Sequence, residues 1–274
     1  MTSLLPRPDM ARSAVRERSA PVERSAPVNL RDLGGIVTEG GVVRRGFAIR
    51  ADDLSTITDS DADGLVDAGL RAVIDLRSGE EVAATGRGVL GGRSDVTYHH
   101  VPLLSDIGAG VDAAEAISRA DLFDQSRFGA MYLRMVDSAA EQIVTALAII
   151  AYAPGAVAFH CAAGQDRTGV LAASLLLALG AGPDDIVADY ARTGENSAAI
   201  RVRLAPLLQP LMERFGIDLD AATRAAGRTA FSPQPMRELL DGLTERHGDP
   251  LAPLREAGLT SGLIARLRTR AGVP

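Results

Sequence analysis

Short apolar runs alternate with longer stretches of helical periodicity through the middle of the chain. Residues 72–76, 96–101 and 156–159 have the length of strands and are rich in apolar and β-branched side chains. Residues 130–153 carry apolar side chains at helical spacing and form one helix candidate, and residues 168–179 form another. This order predicts an α/β fold in which helices flank a central, largely parallel sheet.

Turn and capping residues indicate the smaller elements. Gly40 and Gly41 separate two apolar pairs in the manner of a hairpin, and Thr58 has the pattern of a helix N-terminus. From Arg201 onward the pattern is almost wholly helical, including a helix with Ser232 as its N-cap. This C-terminal part either packs onto the sheet or forms a helical lid over an active site, and the pattern is compatible with both arrangements.

The first 28 residues differ in composition from the rest of the chain. They contain a direct repeat of the hexapeptide Glu-Arg-Ser-Ala-Pro-Val, at 17–22 and 23–28, and few side chains that a core could bury. We therefore predict a flexible tail over residues 1–28 and a single domain over residues 29–274.

Composition limits the classes of function. The 274 residues are 46% apolar and 23% charged, as in ordinary globular proteins, and the net charge of −6 disfavours broad binding to nucleic acid or anionic membranes. Residues 1–28 lack the apolar segment of a secretory signal, and no apolar run elsewhere has the length of a transmembrane helix. These features predict a soluble cytoplasmic protein, and they leave signal-independent secretion open.

Cys161 is the only cysteine of the chain, so an intramolecular disulfide or a multi-cysteine metal site cannot form. The adjacent His99 and His100 would point to opposite faces of a strand. No metal or other cofactor is predicted. The lone thiol serves either packing or chemistry.

The surroundings of Cys161 favour chemistry. Five residues separate Cys161 from Arg167, and this stretch joins an apolar strand to a helix. Small residues and a glycine let backbone N–H groups approach an anion, and the helix N-terminus adds a positive dipole. The residues predicted to bind a phosphate group are Ala162, Ala163, Gly164, Gln165, Thr168 and Gly169.

The same groups define a reaction. The amides, the dipole and the guanidinium of Arg167 favour the thiolate form of Cys161, which can then attack phosphorus. Arg167 can bind two phosphate oxygens at once. Thr168 is predicted to hydrogen-bond the sulfur, and His160 to orient the loop.

These residues resemble the signature of the cysteine-dependent protein tyrosine phosphatase superfamily: His-Cys, five residues, Arg, then Ser or Thr. Residues 29–35, 49–55 and 74–78 are similar to stretches of its atypical bacterial branch, in the same order, and the likeness extends to about Leu267. The resemblance implies a phosphatase-type α/β fold with a helical lid and a cysteinyl-phosphate intermediate. It also implies activity on phosphotyrosine proteins or peptides, extending in some members to phosphoserine, phosphothreonine and phosphoinositides.

The resemblance leaves the general acid and the lipid preference open. The branch assigns the acid role to a loop aspartate, which corresponds to Asp166, and Asp106 is a second candidate. Asp166 could instead cap the following helix. The family loop commonly has a lysine where this chain has Gln165, which weakens the expectation of phosphoinositide substrates. The chain contains no lysine at any position, so the replacement could also reflect composition alone.

Other classes of protein use a comparable loop. A sulfurtransferase or an arsenate reductase also carries a reactive cysteine, but this chain lacks a resolving thiol, and a persulfide carrier needs no complete phosphate clamp. A non-catalytic phosphate-binding module is disfavoured because both Cys161 and Arg167 are present. Structural, bracing roles are assigned to five polar residues: Asn29, Arg31, Asp32, Asp75 and Arg77.

Overall fold

The computed structural model describes residues 23–104, 128–214 and 231–274, apart from the side chains of 207–214. The strands in these ranges are β1 (Arg31–Asp32), β2 (Val37–Thr38), β3 (Gly41–Val42), β4 (Ala48–Ala51), β5 (Leu70–Asp75), β6 (Thr97–His100) and β7 (Ala156–His160). Five of them form one sheet in the order β1-β4-β7-β5-β6, and β2 and β3 form a separate hairpin. The neighbouring pairs β4–β7, β7–β5 and β5–β6 are parallel, and β1 is antiparallel to β4. The predicted α/β fold is confirmed.

Helices account for most of the remaining described chain. They are α1 (Asp59–Asp67), α2 (Gly79–Thr85), α3 (Phe128–Ser138), α4 (Ala140–Tyr152), α5 (Asp166–Leu179), α6 (Pro183–Ala191), α7 (Ser197–Arg214), α8 (Gln234–His247), α9 (Ala252–Glu256) and α10 (Ser261–Ala271). Short 3-10 helices cover Leu54–Thr56, Leu90–Gly92 and Arg192–Asn196.

The two faces of the sheet are buried in two separate apolar clusters. In β7, Val157 and Phe159 belong to the larger cluster, together with residues of α3 to α6 and α8 to α10. Ala156 and Ala158 belong to the smaller cluster, together with residues of α1. This alternation is the period-two pattern of a strand covered on both faces.

The parallel strands end together at one edge of the sheet. Ala51 at the end of β4 and Asp75 at the end of β5 are both register partners of His160 at the end of β7. The loops that follow these strands therefore meet at the carboxyl edge, where open α/β sheets bind their ligands.

The prediction of one continuous helix over residues 130–153 is wrong. The segment forms α3 and α4, which are bent by 78° at Ala139. Both helices bury their apolar faces in the same large cluster, so the helical periodicity continues through the break and does not reveal it. Within the described residues, no single helix has the length and apolar composition of a membrane span, and this bent pair meets those criteria only when taken together.

Residues just before the predicted domain boundary contact the folded chain. Residues 23–28 fall within the predicted tail, yet Ser25 N–H donates to the Thr56 carbonyl at 2.9 Å. The side chain of Arg203 also donates to Ser25 Oγ, at 3.0 Å. The second copy of the hexapeptide repeat thus contacts the domain.

Candidate active site

The loop between β7 and α5 turns its carbonyl groups towards neighbouring chain segments. The carbonyl of Ala162 accepts from the amide of Asp53 at 3.0 Å. The Asn29 side-chain amide donates to the carbonyls of Ala163 and Gly164, at 3.1 and 3.2 Å. Arg50 also donates to the Gly164 carbonyl, at 2.8 Å.

The orientation of these carbonyls fixes the orientation of the amides. In a trans peptide group the N–H points opposite to the C=O, so the amides of Ala163, Gly164 and Gln165 point away from the residues that brace the loop. Within the described part of the chain, none of these amides donates a hydrogen bond. Together with the N-terminus of α5, they form a cradle suited to an anion.

Gly164 is required by both conformation and space. Its φ of 68° lies in the left-handed region. A Cβ atom at this position would lie 2.5 Å from the carbonyl oxygen of Ala51. The loop therefore packs directly on the end of β4, and only glycine fits there.

Buried ion pairs support the bracing residues. Asp189 on α6 binds Arg31 at 2.9 Å and Arg50 at 2.5 Å. Burial opposes ionisation of Asp189, but the charges of Arg50 and Arg31 outweigh burial and hold the pKa of Asp189 below its usual value. Burial and the neighbouring Arg50 lower the pKa of Arg31 to about 10, so it stays charged at neutral pH. The bracing roles predicted for Asn29 and Arg31 agree with these contacts.

Cys161 lies at the base of the cradle, where its residue is only 1% exposed. Thr168 Oγ1 donates to Cys161 Sγ at 3.2 Å, as predicted from the sequence. The buried His160 ring contacts the Cys161 carbonyl through Nδ1 at 3.2 Å. The sulfur therefore sits where a hydroxyl can stabilise its thiolate form.

Arg167 is held by Glu81, a residue that sequence reasoning missed. Two parallel hydrogen bonds join their side chains, at 2.5 and 3.0 Å. Burial lowers the pKa of Arg167, but the nearby Cys161 sulfur and Glu81 carboxylate outweigh burial and raise it above its usual value. The guanidinium is thus permanently charged and oriented beside the nucleophile.

Helix α2 positions Glu81. Ser78 and Glu81 form a capping box, in which each side chain accepts a hydrogen bond from the other residue's backbone amide. At the far end of α2, Arg77 donates to Thr85 and to the Gly86 carbonyl, at 2.6 and 2.9 Å. The Ser-x-x-Glu spacing after β5 was a readable helix signal, but it does not show that the same glutamate reaches Arg167.

Asp166 is the first residue of α5, and the hydroxyl of Tyr132 on α3 donates to its Oδ1 at 2.6 Å. Burial raises the pKa of Asp166, and the Tyr132 hydrogen bond and the charge of Arg167 counteract only part of that effect. A carboxyl group with a raised pKa next to a nucleophile has the property that a general acid needs.

The amide of Gly169 donates to the Gln165 carbonyl at 2.8 Å, so the prediction that Gly169 binds phosphate is corrected: its amide is used within α5. Its role is packing, because a Cβ there would lie 3.2 Å from the Tyr190 ring. Asp106 lies outside the described residues. Among those described, no group of three or more His, Cys, Asp or Glu side chains could hold a metal ion.

A thiol beneath an amide-lined loop, a hydroxyl on its sulfur and a fixed guanidinium define the class of cysteine-dependent phosphatases. The sequence model of the tyrosine phosphatase family matches residues 22–271, and the chain belongs to that family. The resemblance inferred from the sequence and the enzymatic class are thereby confirmed.

Two similar proteins are also named as phosphatases. The chain is 28% identical over 250 residues to the triple specificity protein phosphatase PtpB of Mycobacterium tuberculosis, covering 80% of this chain and 88% of that protein. It is 32% identical over 144 residues to a tyrosine-protein phosphatase of Nostoc commune, covering 52% and 47%. Among solved structures, a cysteine-to-serine variant of TpbA from P. aeruginosa in complex with pTyr matches with 14% identity, 77% coverage of this chain, 99% of that chain and a TM-score of 0.31.

The packing of Gly164 yields a prediction. Gly164→Ala forces a left-handed alanine and a clash with Ala51, so we expect the free energy of unfolding to fall by roughly 2 to 4 kcal/mol. Phosphatase turnover should fall with it, because the amides lose their orientation. Denaturant unfolding and a turnover assay measure the two effects.

The matched control is Gly64→Ala on the exposed side of α1, where nothing lies within 4 Å of the added Cβ. That substitution should leave turnover unchanged and stabilise the protein by up to about 1 kcal/mol. Equal free energies of unfolding and equal turnover in the two variants would contradict the conformational requirement at Gly164.

Proposed function

We propose that this chain hydrolyses phosphotyrosine in proteins or peptides through a cysteinyl-phosphate intermediate on Cys161. The observation that carries the proposal is the cradle of inward amides above the Cys161 sulfur, beside the fixed Arg167. This arrangement matches the shape and charge of a phosphate monoester dianion.

In the first step the Cys161 thiolate attacks phosphorus. The S–P bond forms and the P–O bond to the tyrosine side chain breaks, while Asp166 donates its proton to the departing phenolate oxygen. Arg167 and the loop amides bind the equatorial oxygens, where charge is concentrated in the transition state.

In the second step water attacks the cysteinyl phosphate. Asp166, now ionised, accepts a proton from that water, and the S–P bond breaks to release inorganic phosphate. The sulfur leaves as a thiolate, which the 3.2 Å hydrogen bond from Thr168 stabilises. The cycle consumes one water and returns both Cys161 and Asp166 to their starting states.

The nucleophile assignment predicts the behaviour of Cys161→Ser. The purified protein should release phosphate from p-nitrophenyl phosphate, whereas Cys161→Ser should lose turnover and still bind substrate, since the loop amides and Arg167 remain. Phosphate release and equilibrium binding of a phosphotyrosine peptide measure the two properties.

Ser174→Ala, a buried change of one atom on α5, serves as the control and should keep its turnover. Wild-type turnover in Cys161→Ser would refute the mechanism. Sulfur transfer from thiosulfate without phosphate release would favour the sulfurtransferase alternative.

The acid assignment predicts a leaving-group effect. Asp166→Asn should slow hydrolysis of phenyl phosphate by roughly a hundredfold to ten-thousandfold, the range for general acid catalysis. The effect on p-nitrophenyl phosphate should be smaller, because its leaving group needs less protonation. Asp106→Asn is the comparison: a loss confined to that variant would transfer the acid role to Asp106.

Substrate preference is proposed from Gln165. A neutral side chain at the position of the family lysine offers no second cation beside Arg167, which favours monophosphorylated peptides over polyphosphorylated inositol lipids. The name of the Mycobacterium tuberculosis relative, a triple specificity phosphatase, makes phosphoserine, phosphothreonine and phosphoinositides the relevant alternatives.

We expect a phosphate-release panel to rank phosphotyrosine peptides first. Gln165→Lys should raise kcat/KM on polyphosphorylated inositol lipids by about fivefold, the effect of roughly 1 kcal/mol from an added charge pair. Gln165→Met, which adds no charge, controls for the change of side chain. A native preference for inositol lipids would overturn this assignment.

A further inference from the structure

Two buried tyrosines connect α3 and α6 to the loop aspartate. Tyr132 donates to Asp166 Oδ1 at 2.6 Å, and the hydroxyls of Tyr132 and Tyr190 lie 2.9 Å apart. Tyr132 is fully buried and Tyr190 is 1% exposed. The contacts therefore run from Asp166 through the Tyr132 hydroxyl to the Tyr190 hydroxyl.

While Asp166 is ionised, the number of available protons fixes the direction of these bonds. Burial and the charge of Asp166 raise the pKa of both phenols, so each keeps its single proton while the enzyme works. An ionised carboxylate can only accept, so the proton of Tyr132 is used on Asp166 Oδ1. The remaining contact then needs Tyr190 as donor and the Tyr132 oxygen as acceptor.

We propose that Tyr132, held in place by Tyr190, is the positioning residue of the general acid and directs the catalytic proton of Asp166 to Oδ2. Because Oδ1 accepts from Tyr132, the proton that Asp166 regains in each cycle is placed on the other oxygen. The proposal rests on the proposed function, in which Asp166 is the acid.

The packing around Tyr190 supports a fixed geometry. The rings of Tyr132 and Tyr190 meet edge to face, with centroids 6.2 Å apart at 75°. Tyr190 also packs on Gly169, whose lack of a side chain permits this approach. Both hydroxyls are therefore held relative to the first turn of α5.

The electrostatic surroundings of Asp166 give the expected pH effect. Among the described residues, the groups facing it are Tyr132 from α3, Tyr190 from α6 through Tyr132, and Arg167 beside it on α5. Burial raises the pKa of Asp166, and the hydrogen bond from Tyr132 lowers it. An acid acts only in its protonated form, so activity falls as the pH rises through this pKa.

Tyr132→Phe tests the inference. Removing the hydroxyl releases Asp166 Oδ1 and removes a bond that favours the ionised form. We expect kcat/KM for phenyl phosphate to fall by about tenfold, the effect of one hydrogen bond to a charged group, with a smaller change for p-nitrophenyl phosphate. The alkaline limb of the pH profile should move to higher pH. Tyr190→Phe should show the same pattern with a smaller loss.

Tyr98→Phe is the matched control. It removes another 2.6 Å hydrogen bond between a tyrosine and a buried aspartate, Asp75. It should change neither the leaving-group dependence nor the alkaline limb. If Tyr132 only anchors α3 to α5, Tyr132→Phe will behave in the same way, and the inference is overturned.

The double variant Tyr132→Phe/Asp166→Asn separates the positioning role of Tyr132 from the acid role of Asp166. If Tyr132 acts through Asp166, the double variant should be no slower on phenyl phosphate than Asp166→Asn alone. A leaving-group effect in Asp166→Asn without one in Tyr132→Phe would overturn the positioning role and leave the acid assignment intact. No such effect in either variant would reject both, while the Cys161 assignment would keep its separate test.

Discussion

The orientation of three peptide groups in the Cys161 loop is the constraint on which the site depends. Amides can bind phosphate only if their carbonyls are satisfied elsewhere, and here Asp53, Asn29 and Arg50 provide those hydrogen bonds. These residues belong to the segments around β1 and β4; β4 lies beside β7 in the sheet, and β1 lies on the far side of β4. The loop is therefore held in its binding form by the fold, and substrate binding needs little reorganisation.

Buried charges also strengthen the loop amides as hydrogen-bond donors to an anion. Arg50 donates to the Gly164 carbonyl and is bound on its other side by Asp189. A cation on a carbonyl oxygen polarises the whole peptide group, so the Gln165 N–H on the same group becomes a stronger donor to phosphate. An acidic chain of net charge −6 can thus hold a dianion, because the relevant positive charge is local and fixed.

The sequence predicted the parts of the site that are local in the chain. Cys161, Arg167 and Thr168 lie within one strand-loop-helix segment, and their spacing alone implies a shared anion site. Glu81 could be read only as a capping residue, because 86 positions separate it from Arg167 and the strand order brings them together. Periodicity and capping patterns describe one segment at a time, so they do not predict contacts between segments that are distant in the sequence.

The break at Ala139 and the contact of Tyr132 with Asp166 illustrate the same limit. A straight helix over residues 130–153 would be about 36 Å long and would have to run in one direction. The 78° bend instead lets α3 pack on α5 and α8 while α4 packs on α5 and α10. Tyr132 reaches the first turn of α5 from this separate orientation of α3. The bend that periodicity did not reveal is therefore also the feature that brings the Tyr132 hydroxyl to Asp166, the proposed general acid.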